Sequence, residues 1–280
     1  MRGKELSEAL RSGKRVYGSC ILSTSPRWPA AVASLGLDLV FIDSEHISFD
    51  RDQMAWICNA YASRKVAPIV RIPEPDPYRA CMVLDGGAQG VIGPYVETAQ
   101  QVRDLSGAVK FRPLKGQRLK DVLDGKEKLS DELQNYLDTY NRNNVLIINI
   151  ESIPAIEALD EILAVPGLDA ILVGPHDLSI NLGIPEQYEH PKFLEAISTI
   201  ISKSRAAGIG VGIHFFTSID QEIAWSKEGA NLIMHSSDIV LMRNTLAADL
   251  KKFREELGDD AVADGAAGTV VKTAPIMLDN

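Results

Sequence analysis

Residues 145–179 read VLIINIESIPAIEALDEILAVPGLDAILVGPHDLS. An apolar run (Val145 to Glu151) gives way to an amphipathic stretch, SIPAIEALDEILAV, and then to a second apolar run, Asp169 to Gly174. Continuous apolar character, in place of strict alternation, suits strands covered on both faces. The same rhythm extends in both directions. Upstream lie VYGSCIL from Val16, Leu37–Asp43, Ala67–Ile72 and Gly90–Tyr95; downstream lie Gly208–Phe215 and Asn231–Ser237. Helical patterns such as DRDQMAWICNAYASR, TAQQVRDLSGAVK and HPKFLEAISTIISKSRAAG separate them, and several stop at glycine just before a strand, at Gly36, Gly86 and Gly208. Eight strands alternating with eight helices predict a single α/β (β/α)8 barrel over residues 1–257, with an added N-terminal helix. A doubly wound open sheet is the competing architecture. No GxGxxG or GxxxxGK[ST] follows a strand, so phosphate-cradling readings have no support.

The rest of the chain bounds the partners. Its 280 residues are 45% apolar and 24% charged, enough for a full core without disulfides or structural metal. A net charge of −9 argues against nucleic acid and anionic membrane, both of which need a basic face. No window is apolar enough to span a bilayer, and the start lacks the apolar core of a signal peptide. Cys20, Cys58 and Cys81 form no CxxC and read as reduced thiols of a cytoplasmic protein. The polar stretch from Lys110 to Asn144 is expected to hold an extra helix near Ser130–Tyr140 and to act as a lid or subunit contact at the barrel mouth. Residues 258–280 are expected to form a C-terminal extension.

Barrel chemistry belongs at the C-terminal strand ends. There the chain places Asp43-Ser44-Glu45-His46, Arg71, Asn149-Ile150-Glu151, Gly174-Pro175-His176-Asp177, His214 and His235-Ser236-Ser237-Asp238. Each alone has a structural explanation; Asp177, for instance, could simply cap a helix. Together they point to a site. Glu151 and Asp177 are two carboxylates on adjacent strand ends, the donor set for a hard divalent cation such as Mg²⁺ or Mn²⁺. Zn²⁺ wants more nitrogen or sulfur, and His214 keeps it open. The free positions of such an ion take a 2-oxo acid, Arg71 is placed to stabilise an enolate, and a nearby His can act as base. A Schiff-base route needs a strand-end lysine, and no predicted strand ends in one.

FIDSEH (Phe41–His46), Arg71 in VRI, Glu151 in IES and GPHDLS (Gly174–Ser179) resemble the HpcH/HpaI aldolases, metal-dependent class II pyruvate aldolases, in order and spacing from about Arg15 to Leu250. The resemblance implies a barrel assembled as a homohexamer, with the last helix exchanged between subunits. It implies Glu151 and Asp177 as ligands of Mg²⁺, Mn²⁺ or Co²⁺, His46 as general base, and Arg71 as enolate stabiliser. Asp85 corresponds to the acid that raises the basicity of the catalytic His, or else is a polar residue closing a helix. Asp43 either contacts His46 or braces its own loop. Two departures stand out: Asn149 where the family often has Gln against the oxo acid, and His176 where it usually has a small residue. The loop KFRPLKGQRLKDVLDG keeps Gly116 and Arg118 but loses the usual small residues, which implies a reshaped mouth. The expected activity is cleavage or formation of 4-hydroxy-2-oxo acids, through a pyruvate enolate and an aldehyde. The alternatives are an oxaloacetate decarboxylase or citrate-forming lyase, and more remotely a non-catalytic binding barrel.

Overall fold

The computed structural model describes residues 1–259, so the expected C-terminal extension lies almost wholly outside the described residues. In chain order the elements are α1 (Gly3–Ser12), β1 (Val16–Cys20), α2 (Trp28–Ala33), β2 (Leu39–Asp43), α3 (Arg51–Ala62), β3 (Ala67–Arg71), α4 (Pro77–Asp85) and β4 (Gly90–Gly93). There follow α5 (Ala99–Lys110), α6 (Gly116–Leu123), α7 (Asp131–Asn141), β5 (Val145–Ile150), α8 (Ile153–Glu157), α9 (Leu159–Leu163), β6 (Ala170–Val173) and α10 (Pro175–Asn181). The series ends with α11 (Pro191–Ala206), β7 (Gly210–Phe215), α12 (Ile219–Glu228), β8 (Leu232–Ser237) and α13 (Asp238–Leu257). The strands close into a barrel in sequence order, and β8 returns parallel to β1. The barrel read from the sequence is the fold observed.

A strand repeats every two residues, so its side chains divide between two cores. Leu39 and Phe41, Ala67 and Ile69, Val145 and Ile147 point into the lumen, in one buried cluster with Leu172 and Met234. The intervening Val40, Ile42, Val70, Leu146 and Ile148 pack beneath the helices. Burial on both faces is why the runs look uniformly apolar. One step further along the inward row stand Asp43, Arg71 and Asn149, so the lumen's apolar stack ends in polar groups at its top. Asp43 and Arg71 are direct register partners.

The other end is closed by α1. Leu6 and Leu10 are fully buried among the strand-start residues Val16, Leu39 and Val145. The Asn231 amide donates to the Leu10 carbonyl at 2.9 Å, and the Ser7 hydroxyl donates to Asp169 at 2.6 Å.

Residues 110–144 correct the expectation of a lid. They hold two helices, α6 and α7, where one is predicted. They also join the end of α5 to the start of β5, which puts them at the closed end; only strand-to-helix loops reach the catalytic rim of such a barrel. Arg112 fixes them there, with its guanidinium on Asp85 at the end of α4 and its carbonyl accepting from the Asn141 amide at 2.7 Å. The predicted helix SIPAIEALDEILAV is broken at Ala158 into α8 and α9. Among the described residues no helix is long and apolar enough to cross a membrane. The 20-residue α13 buries none of its side chains, and Leu246, Leu250 and Phe253 stand exposed on it.

Candidate active site

Arg71 organises one side of the rim. Its Nε and Nη2 donate to the two Asp43 oxygens at 2.9 and 2.6 Å, and Nε lies 3.1 Å from Glu45 Oε2. The Phe41 ring sits 5.2 Å beneath the guanidinium. Burial pushes the Asp43 carboxyl up, but the bidentate Arg71 outweighs it and holds the group below the ordinary carboxylate range. Asp43 thus braces Arg71. Glu45 is shifted the other way, raised by burial against the opposing pull of Arg71 and His46. His46 stands half exposed at the mouth, its Nε2 3.9 Å from Glu45 Oε2.

Glu151 is the most deeply placed acid of the site, 3% exposed, with Oε2 accepting from the Tyr95 backbone N–H at 3.1 Å. Tyr95 delivers that N–H from a left-handed backbone, φ 45°. Gly174 makes the space: a Cβ there would lie 2.0 Å from Glu151 Oε1. Burial, with Asp177 and Glu45 adding and Arg71 opposing, pushes the Glu151 carboxyl up to about 8. A carboxyl so desolvated beside two other acids is short of positive charge.

Asp177 lies three residues into α10, whose cap position is Gly174, so its helix-capping alternative is not realised. Asn149 donates its amide to the Leu172 carbonyl at 3.0 Å, while its Oδ1 is buried without a partner. His46, Arg71, Asn149, Glu151, His176 and Asp177 all line one cleft, with Phe41 and Phe216 as apolar walls.

Three groups differ from expectation. Asp85 is not brought to His46 within one chain: it ends α4 at the closed end of the barrel and pairs with Arg112. The acid beside His46 is Glu45, named in the DSEH motif but given no role by sequence reasoning. His235 leaves the rim, because β8 turns Leu232 and Met234 inward and His235 outward, where Nδ1 meets Glu222 at 2.8 Å. Asp238 accepts from Leu22, Ser23 and the Trp28 indole, at 3.2, 2.9 and 2.9 Å, and so ties down the loop after β1. Gly174 and the Tyr95 N–H were also missed; neither has a side-chain signal.

The donors fit a hard divalent cation. Two carboxylates with an orphaned amide oxygen nearby is an oxygen set that leaves positions for water and substrate. Among the described residues no three His, Cys, Asp or Glu side chains converge as a closed metal cage. His214 Nε2 donates to the Ser236 carbonyl at 3.1 Å, and burial pulls that ring down to about 4.

Comparison with known proteins points the same way. The model of the HpcH/HpaI aldolase/citrate lyase family matches residues 19–245. A 2-keto-3-deoxy-L-rhamnonate aldolase of Salmonella gallinarum is 32% identical over 252 residues, 88% of this chain and 92% of that one. Among solved structures, an HpcH/HpaI aldolase from Desulfitobacterium hafniense DCB-2 superposes with TM-score 0.77 at 27% identity, covering 89% of this chain and 96% of the other. The citrate synthase SbnG gives 0.77 at 26% identity, covering 91% and 99%. With the barrel, its polar rim and a match over most of its length in agreement, the chain belongs to the HpcH/HpaI aldolase/citrate lyase family.

Proposed function

We propose that the chain is a divalent-metal-dependent aldolase of the cytoplasm, joining or cleaving pyruvate and an aldehyde in 4-hydroxy-2-oxo acids, with 2-oxo-3-deoxy sugar acids as the substrate class. The observation that carries it is the buried Glu151, raised to about 8, cradled against Gly174 beside Asp177 and Glu45. Glu151 and Asp177 would hold the cation, which when bound polarises the 2-oxo carbonyl. The relative named for a 2-keto-3-deoxy sugar acid supports the substrate class.

The chain's own groups do the rest. Arg71, with Nε and Nη2 occupied by Asp43 and Glu45, is immobile and offers Nη1 to the oxyanion that develops as the C3–C4 bond breaks. His46 takes the proton of the 4-hydroxyl, its Nε2 lying 3.9 Å from Glu45 Oε2. Asn149, one amide N–H of which is given to the Leu172 carbonyl, would donate the other to the oxo-acid carboxylate. Phe41 and Phe216 shed water from the enolate's flank.

The bare apolar face of α13 supports assembly in which a second copy covers it, and the hexamer of the family is the form we propose. Asp85 and residues 110–144, at the closed end of their own barrel, are able to serve a catalytic mouth only in another copy.

The test is loss of the pyruvate methyl proton signal in D₂O, with and without Mg²⁺ or Mn²⁺. Metal-dependent exchange that disappears in Glu151→Ala supports the reading; a folded protein with no exchange under any divalent cation overturns it. A second reading, citrate formation from oxaloacetate, is favoured by the likeness to SbnG. It shares the enolate but predicts condensation with a keto group in place of an aldehyde. Simple oxaloacetate decarboxylation needs no base at the 4-hydroxyl, so His46→Ala should abolish aldol cleavage and spare decarboxylation.

A further inference from the structure

Past the oxo-acid end, the cleft opens between His176 on α10 and the turn that follows β7. The His176 ring lines this part, with Nδ1 wholly buried and unpartnered, 3.7 Å from Glu186 Oε1. That is too long for a hydrogen bond, so the pair is poised and unsatisfied. Its geometry is imposed from outside. Glu186 adopts φ 58°, a left-handed backbone that L residues rarely take. Its N–H donates to Ser179 Oγ at 2.9 Å, and the same hydroxyl donates to the His176 carbonyl at 2.7 Å. One serine thus ties both members together. With Nδ1 turned to Glu186, Nε2 is the ring nitrogen left for the cleft.

Tyr188 and Thr217 are shared between the cleft and a wider depression rimmed by Glu186, Glu189, Ser218 and Gln221. Among the described residues lining both, Arg71 is the one Lys or Arg, and Asp43 and Glu45 engage it at the oxo-acid end. A carboxylated acceptor would meet two glutamates there and, among the described residues, no lysine or arginine. A neutral acceptor bearing hydroxyls would meet a histidine, a threonine and a serine.

We propose that His176, held by Glu186 and Ser179, is the acceptor-selecting residue: its Nε2 hydrogen-bonds a hydroxyl of the aldehyde, and the acidic rim restricts acceptors to neutral, hydroxylated aldehydes. The proposal rests on the aldolase reading above. It gives a purpose to a histidine set directly before the metal-site acid Asp177.

The discriminating assay compares lactaldehyde with propionaldehyde, which differ by one hydroxyl, as acceptors for pyruvate. The wild type should prefer lactaldehyde in kcat/KM. His176→Ser should lower that preference about tenfold, the worth of one neutral hydrogen bond, and His176→Gln should restore part of it. Glu186→Gln, which keeps size but loses the charge that orients the ring, should lower it about threefold. An equal fall for both aldehydes in His176→Ser would make the ring a mere brace and overturn the proposal. So would a wild type that uses glyoxylate better than lactaldehyde. Pyruvate proton exchange is followed in the same samples: its absence from the wild type sinks the aldolase reading itself, whereas exchange with no acceptor preference sinks the role of His176 alone.

Discussion

Replacing Glu151 by Gln isolates the energetics of the buried carboxyl. The group sits at about 8 in the folded chain against an ordinary 4.5. Between those values the native state holds a proton that the unfolded chain has released, so stability falls as pH rises through that window. At roughly 1.4 kcal/mol per pH unit the loss approaches about 5 kcal/mol above pH 8, and is on the order of 3 kcal/mol at pH 7. Gln keeps the shape and has nothing to titrate. Urea denaturation of chelator-treated protein from pH 4.5 to 8.5 should therefore show the variant gaining on the wild type as pH rises, by about 3 kcal/mol at neutrality. A divalent cation must displace the proton to bind, so its affinity for the wild type should climb about tenfold per unit up to pH 8, and added cation should cancel the neutral-pH deficit. Parallel pH curves for the two proteins would refute the reasoning, because they would mean that Glu151 is already ionised in the folded, metal-free chain.

Further expectations concern the supports of the site. Gly174→Ala drives a methyl into Glu151 Oε1, so pyruvate proton exchange should drop at least a hundredfold while the far-ultraviolet circular dichroism stays native; full exchange would show that the cradle is dispensable. Asp43→Asn leaves the buried Arg71 with Glu45 alone, and should lower unfolding stability by about 3 kcal/mol in urea titration, with no change if the pair is merely decorative. The double variant Leu246→Glu and Phe253→Glu places two charges on the bare face of α13, and sedimentation should then report smaller species than the wild type forms.

The barrel was legible because parallel strands buried on both faces leave continuous apolar runs, and all eight runs survive as strands. Much of the site was legible for a related reason: Asp43, Arg71, Asn149 and Glu151 extend the inward row of their strands beyond its last apolar residue. The same parity, applied to Leu232 and Met234, would have turned His235 outward. Counting polar residues near strand ends, without asking which face they take, put it on the rim. The lid expectation failed through connectivity. Residues 110–144 follow a helix, not a strand, and helix-to-strand loops return to the closed end. Asp85 is subject to the same rule, as the last residue of α4. Gly174 and the Tyr95 N–H act through missing atoms and backbone, where side-chain chemistry carries no signal. The orientation of His176 depended on a left-handed Glu186 ten residues downstream, which no local pattern encodes.

The helical stopper at the base of the barrel carries a consequence for how the chain is made. Residues 1–12 are synthesised before the strands they plug, yet Leu10 is held by groups 195 and 221 residues later, and Ser7 by one 162 residues away. Until Arg205 and Asn231 have been synthesised, Leu6 and Leu10 have no finished cavity to enter. The helix α1, made before every strand of the barrel, is therefore one of the last of these elements to dock. A nascent chain must shelter an amphipathic helix with an unfilled apolar stripe until Asn231 has been made, a window in which such surface invites aggregation or chaperone capture.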